Sequence, residues 1–324
     1  MADIGVVGWY GHGNCGDESY KLSFPKLFPQ HRFTFSEKPS PPYRDAYILG
    51  GGDVICDDYI NILKSVPKKH IMSATMSSQK DISDFGIVAV RDFASMSIAS
   101  MSGVKSIYTP DFAFALDFDA KKGKELIRQK FKALDRDLYS NLVVVVVNAH
   151  LSPDLSSLAR DSYLFQHMSY ELAKAIDSTS ASFMFIPFGT NEPWDDRLSN
   201  AWVASKCKFW KKNVICYDTI SVQDTIDIIA AADAVISSRL HSTIFSCITA
   251  TPFVDITHNH KNLGFLETTS LLKHSVKYEG VDAVTIVNKL KIALGSAEAK
   301  DELNKVSEKQ KSILKEFANN VSLV

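Results

Sequence analysis

Residues Ala234–Glu267 read AVISSRLHSTIFSCITATPFVDITHNHKNLGFLE. Ala234–Ile236 is a short apolar run with the pattern of a buried strand. A polar turn follows, Ser237-Ser238-Arg239-Leu240-His241-Ser242-Thr243, then an apolar helix, then Pro252 and a second apolar run, Phe253–Ile256. Strand, helix and strand in this rhythm form a parallel α/β unit. Arg239 and His241 fall where strand hands over to helix, and a helix N-terminus adds partial positive charge there. His258, His260 and Lys261 fall just past the next strand.

The same alternation extends in both directions. Leu142–Val147 (LVVVVV) is the strongest buried-strand signal in the chain and opens this α/β region. Phe183–Ile186 and Val214–Tyr217 are further strands, Thr225–Ala232 is a helix, and PFGTNEPWDD over 187–196 reads as a loop. Toward the N-terminus, Ile4–Val7 runs into a glycine loop and Ala46–Leu49 precedes Gly50-Gly51-Gly52. Gly86–Val90 ends at Arg91-Asp92, and Phe93–Met101 has helical spacing. The fold class is therefore α/β, with two Rossmann-like domains and a cleft between them as the default ligand site. The expected bounds are 1–116 for the N-terminal domain, 117–140 for a charged connecting helix, 141–296 for the C-terminal domain and 297–324 for a C-terminal helix. That last helix either packs across both domains or lies on the surface.

Composition narrows the class. The chain has 324 residues, 36 Lys plus Arg against 37 Asp plus Glu, and a formal charge of -1. That balance offers no field for nucleic acid or an anionic membrane surface, so any anion site must be a local cluster of cations. The five cysteines (Cys15, Cys56, Cys207, Cys216, Cys247) form no CxxC pair, which argues for a reducing compartment. The first residues lack the pattern of a signal peptide, and no run of about 18 apolar residues occurs. The expectation is a cytoplasmic protein without an integral membrane segment.

Four stretches carry candidate chemistry. Gly11-His12-Gly13-Asn14-Cys15-Gly16 matches GxGxxG, with Glu37 about 20 residues on. Pro25 and Pro29 interrupt the helix that a dinucleotide site needs. A glycine loop needing positive φ, and an anion- or sugar-binding loop using Asn14, Asp17 and Glu18, are the other readings. Gly51 and Gly52 let a ligand or a second loop approach the backbone closely, or let their N–H groups accept an anion. Arg91 either pairs with Asp92 or, if Asp92 or Ser95 caps the next helix, is left for a carboxylate or phosphate. The cluster of Arg239, His241, His258, His260 and Lys261 is an anion site or a solvated basic rim. His258 and His260 lack a partner carboxylate at familiar metal-ligand spacing, so no metal is expected.

Taken in order, Gly13-Asn14-Cys15-Gly16-Asp17-Glu18, Gly50-Gly51-Gly52, Arg91-Asp92 with Ser95, Pro110-Asp111, and Ser238-Arg239-Leu240-His241 with Pro252 and Lys261 resemble the polysaccharide pyruvyltransferase family. The resemblance runs from residue 11 to about 267. It implies a GT-B-like arrangement and transfer of a pyruvyl group from phosphoenolpyruvate to a pair of sugar hydroxyls, giving a ketal. It associates Arg239 and His241 with the donor, and by extension Arg91 and Lys261. The acceptor is a sugar or glycan, placed on the N-terminal domain, and no cofactor beyond the donor substrate is implied. Departures are His258, where the family often has an aromatic residue, and a rather short chain. Phosphoenolpyruvate carries a phosphate and a carboxylate, so two cations at different angles suit it. His241, with an unperturbed pKa near ~6.5, suits proton exchange. Asp17 or Glu18 suits deprotonating the acceptor, with Asn14, Gly13, Gly51, Gly52 and His258 as further contacts. A GT-B glycosyltransferase using a nucleotide sugar, a nicotinamide-dependent oxidoreductase and a non-catalytic glycan-binding relative are the alternatives. The oligomeric state is not legible.

Overall fold

The computed structural model describes residues 1–39, 44–149, 155–191 and 195–324, without the side chains of 155 and 156. Of the loop read over 187–196, residues 192–194 lie outside this set. The chain divides into two compact units. The first is Met1–Leu116 with Gly264–Thr269 and Glu308–Val324; the second is Asp117–Leu263 with Ser270–Ser307.

In the first unit the order is β1 (Asp3–Val7), α1 (Cys15–Leu27), β2 (Arg32–Ser36), β3 (Ala46–Gly52), α2 (Asp57–Ile62), β4 (Lys69–Ala74), β5 (Val88–Val90), α3 (Phe93–Met101) and β6 (Ile107–Tyr108). The strands form one parallel sheet in the order β2-β1-β3-β4-β5-β6. The order reverses between β1 and β3, which makes that strand pair a topological switch point. One face buries Val7, Leu49, Ile71, Val88 and Val90. On α1, Tyr20 and Phe24 join Phe33, Phe35 and Phe112 in an aromatic layer. The helix continues through Pro25, against expectation. Pro25 sits in the last turn, so only one backbone bond is forfeited there.

The second unit contains α4 (Ala120–Ala133), β7 (Leu142–Val146), α5 (Leu155–Asp177), β8 (Ser182–Phe185), α6 (Asp196–Ala204), β9 (Asn213–Ile215), α7 (Val222–Ala231), β10 (Ala234–Ser237), α8 (Leu240–Ile248) and β11 (Phe253–Thr257). These are followed by α9 (His260–Thr268), β12 (Ser275–Lys277), α10 (Ala283–Gly295) and α11 (Ala297–Asn320). Helix α9 passes to the first unit at Gly264, and α11 passes to it at Glu308. The parallel sheet has the order β12-β11-β10-β7-β8-β9, so its switch point lies between β7 and β10. Val143, Val145, Phe183, Phe185, Ile236 and Val254 centre its core.

Segment 117–140 contains α4, which packs against α7 within the second unit. Helix α11 is longer than its sequence signal by two residues. Ser307 Oγ donates to the Ile248 carbonyl in the second unit at 3.2 Å. In the first unit Gln310 accepts from Tyr108 Oη at 2.6 Å, and Phe317 packs on Phe112.

Candidate functional site

At the switch point of the second sheet, β10 ends and Arg239 becomes the N-cap residue of α8, with His241 in the first turn. Arg239 is gripped from below. Its Nε donates to both Asp196 oxygens, at 3.2 and 3.1 Å, and its Nη2 donates to Oδ1 at 2.6 Å. Asp196 is fully buried at the start of α6. It also accepts from Asn148 Nδ2 at 2.8 Å and from the backbone N–H groups of Phe188 and Gly189 at 3.0 and 2.9 Å. Asn148, just past β7, donates its backbone N–H to Ser238 Oγ at 2.9 Å. The loops after β7, β8 and β10 are thus stitched together around one carboxylate. A bidentate, desolvated arrangement of this kind fixes a guanidinium in direction as well as position.

Asp255 on β11 performs a parallel task. It is fully buried and accepts from Thr243 Oγ1 on α8 at 2.5 Å, Thr257 Oγ1 at 2.6 Å and Asn262 Nδ2 on α9 at 2.8 Å. Burial pushes its pKa up, while the three hydrogen bonds pull it back. This carboxyl ties the helix carrying His241 to the helix start carrying Lys261. Arg239, His241 and Lys261 therefore belong to the ends of two adjacent strands. His241 is buried, and Lys261 is half-buried. His258 packs edge-on to Tyr278, with ring centroids 4.5 Å apart. Burial holds its pKa down, while Asp161 and Glu279 oppose that effect.

The candidate residues of the first unit sit differently. Arg91 is buried, donating from Nη1 to Asp111 Oδ2 at 2.7 Å and from Nε to Thr75 Oγ1 at 2.8 Å. Burial opposes its charge, but Tyr20 and Asp111 more than compensate. Asp92 caps α3 by accepting from Ser95 N at 2.7 Å, so the expected Arg91–Asp92 alternative gives way to an Arg91–Asp111 pair. Asn14 caps α1, accepting from Gly16 N at 3.1 Å. Glu18 Oε1 accepts from Gly11 N at 2.6 Å and Oε2 pairs with Lys21 at 2.5 Å, which folds the glycine loop back on the helix. Gly13 has φ +63°.

The triple glycine is explained by close approach. Gly51 and Gly52 have φ +82° and +79°. A Cβ on Gly52 would stand 2.6 Å from Asp17 Oδ1, and one on Gly51 3.0 Å from the Tyr20 ring. Asp17 itself is buried. The residues that the sequence reading passed over are two buried carboxylates, Asp196 beneath Arg239 and Asp255 between α8 and α9; the sequence singles out Asp111 with Pro110, but not as the partner of Arg91. Asp196 ends a Pro- and Asp-rich loop, where its composition signals only a turn.

Among the described residues no cluster of three or more His, Cys, Asp or Glu is arranged to hold a metal ion. None of their helices is long and apolar enough to cross a membrane.

In solved structures the same fold recurs. Methanocaldococcus jannaschii UDP-GlcNAc 2-epimerase, in complex with UDP-GlcNAc and UDP, is 11% identical, with a TM-score of 0.60 over 95% of this chain and 99% of its own. UDP-N-acetylglucosamine 2-epimerase from Rickettsia bellii is 10% identical, with a TM-score of 0.54 over 98% and 96%. A ugt transferase from Siraitia grosvenorii in complex with UDP is 12% identical, with a TM-score of 0.54 over 98% and 99%. At such identities the likeness concerns the fold, two Rossmann-like domains of the GT-B kind. No curated protein sequence is significantly similar to the chain. The sequence model of the polysaccharide pyruvyl transferase family matches residues 15–260, a span that begins at α1 and runs through Asp196, Arg239 and His241 to the start of α9. By that match over three quarters of its length, the chain belongs to the polysaccharide pyruvyl transferase family.

Proposed function

We propose that the chain transfers a pyruvyl group from phosphoenolpyruvate to two hydroxyls of a sugar in a glycan or glycolipid, forming a cyclic ketal. The observation that carries this reading is Arg239, oriented by a buried carboxylate at the switch point of the second sheet, inside the span matched by the family. A carboxylate fully desolvated beneath an arginine aligns the fork for a second planar anion. Arg239 is assigned to one anionic group of the donor and Lys261, from the next strand end, to the other.

The chemistry then balances without a cofactor. A proton adds to C3 of the enol, and C2 becomes electrophilic. The first sugar hydroxyl forms a C–O bond to C2 and gives up its proton. The C2–O bond to phosphate breaks, phosphate leaves with the bonding pair, and the second hydroxyl closes the ring as its proton is lost. One hydroxyl proton replaces that donated to C3, and the other leaves with phosphate. His241, in the first turn of α8, is assigned the proton exchange at C3 or at the hydroxyl. Asp17 is the carboxylate proposed for the acceptor. Glu18 is proposed to shape the loop that presents it, through Gly11 and Lys21.

Thermal unfolding with added ligand tests the donor. Phosphoenolpyruvate at about 100 Kd stabilises a binder by about 2.7 kcal/mol. The wild type is expected to shift upward and Arg239→Ala to lose the shift. His241→Ala is expected to keep the shift while phosphate release in the presence of acceptor glycans falls at least about a hundredfold. Stabilisation by UDP-GlcNAc with none from phosphoenolpyruvate overturns the donor in favour of a nucleotide sugar. Phosphoenolpyruvate binding without phosphate release over a broad glycan panel points to a non-catalytic relative.

A further inference from the structure

Three loop starts meet at one edge of the first sheet: Gly8–Asn14 after β1, Glu37 after β2, and Asp53 onward after β3. Trp9 lies on the first of them and is 40% exposed. Its indole is stacked on the His12 imidazole with ring centroids 3.7 Å apart and planes 12° from parallel. His12 Nε2 is in turn hydrogen-bonded to Glu37 Oε1, from the loop after β2, at 2.5 Å. The Gly11 clasp to Glu18 fixes the turn between the two rings. A partly exposed aromatic side chain is thus backed by an imidazole that a carboxylate from the next loop holds in place.

Carboxylates outnumber cations around the stack: Glu37 holds His12, and Glu18 is paired with Lys21. Tyr59, on α2 after β3, has its phenol pushed up to about 12 by burial first and then by the negative charges of Glu37 and Asp17. Both carboxylates act on Tyr59, and Glu37 is also the residue that holds His12. An anionic ligand would meet like charge here. A neutral polyhydroxylated ring does not. One face of a pyranose presents polarised C–H groups to the negative face of an indole, while its hydroxyls donate to carboxylate oxygens.

We infer that Trp9, stacked on His12 and locked by Glu37, is a platform for a neutral pyranose ring, the sugar-recognition subsite of the first unit. The inference deepens the proposed function by naming where an acceptor sugar rests, and its binding test does not depend on pyruvyl transfer. Trp9 and Glu37 touch the ring. His12 is a positioning residue that acts through both.

Saturation-transfer NMR on the full chain with methyl β-D-galactopyranoside, methyl β-D-glucopyranoside and methyl α-D-mannopyranoside provides the test. At least one glycoside is expected to receive saturation from the wild type, strongest at its C–H protons. Trp9→Ala is expected to weaken that binding about tenfold, Trp9→Tyr to retain most of it, and Glu37→Gln to weaken it less. His12→Ala is expected to act like a partial loss of Trp9 and to leave the phosphoenolpyruvate thermal shift in place. No saturation of any glycoside by wild type, or equal saturation by Trp9→Ala, overturns the platform. Trp9-dependent glycoside binding with no phosphoenolpyruvate shift keeps the platform and removes the donor assignment. The reverse result keeps the donor and removes the platform.

Discussion

Arg239 owes its geometry to a residue 43 positions away, and the worth of each depends on the other. Asp196 is fully buried and its two oxygens take six hydrogen-bond contacts, three from Arg239 and one each from Asn148, Phe188 and Gly189. Removing one partner of such a pair strands a desolvated charge, which costs about 3 kcal/mol or more. Asp196→Ala is expected to lower the urea midpoint and to raise the KM for phosphoenolpyruvate. Asp196→Asn keeps the volume but removes the charge and turns an amide NH2 onto N–H donors of Arg239 and Asn148 or of Phe188 and Gly189, so it is expected to destabilise as well and to raise the KM. An unchanged KM in both variants contradicts the positioning role. Arg239 itself was legible in the sequence, because a cation at a strand–helix handover is a local pattern. Asp196 was not, because nothing local distinguishes a loop aspartate that will be buried from one that faces water.

Helix crossings set a second group of requirements. Gly123 lies inside α4, where glycine is about 1 kcal/mol worse than alanine by propensity. The packing explains it. A Cβ at Gly123 would stand 1.9 Å from the Asp227 carbonyl oxygen and 2.9 Å from Ala231 Cβ on α7. Asp227 Oδ1 also accepts from Asp119 N at 2.8 Å and Gln223 Nε2 at 2.9 Å, so the crossing is pinned. Gly123→Ala is therefore expected to destabilise, by about 1–3 kcal/mol, although propensity alone has the opposite sign. A chemical-denaturation midpoint at or above wild type refutes the close crossing. Amphipathic periodicity was enough to locate α4. The neighbour it packs on is 100 residues downstream and left no local trace. Strand β4 was missed for a related reason: Lys69, His70 and Ser73 break its apolar pattern. Lys69 is buried against the carbonyl of Val66 at 3.2 Å and Asp84 at 2.6 Å, and Ser73 accepts from Phe112 N at 3.0 Å.

Across the molecule, burial depresses the pKa of His31, His70 and His258 below 6.5; the N-terminal charge adds to this at His31. The folded chain thus binds protons at these sites less readily than the unfolded chain. Stability from this source is complete above about pH 6.5 and is lost as pH falls through the depressed values. The melting temperature is expected to fall between about pH 7.5 and pH 5.5, before most carboxylates titrate. His258→Phe, which retains an edge contact with Tyr278, is expected to flatten part of that fall. A melting temperature that rises over this interval contradicts the sign.

Hydrophobic rhythm and punctuation were sufficient for the alternating architecture, because strands and helices are chosen by periods of two and 3.6 residues within a short window. The order RLH, Pro252, Lys261 likewise carried the family, since its parts are close in the chain. The order of strands within each sheet, and with it the two switch points, depends on which edges pair. So do the pairing of buried Asp196 with Arg239 and of buried Asp111 with Arg91, and the contact of Glu37 with His12. Each of these is a contact between segments whose separation along the chain carries no energy signal until the backbone has closed around them.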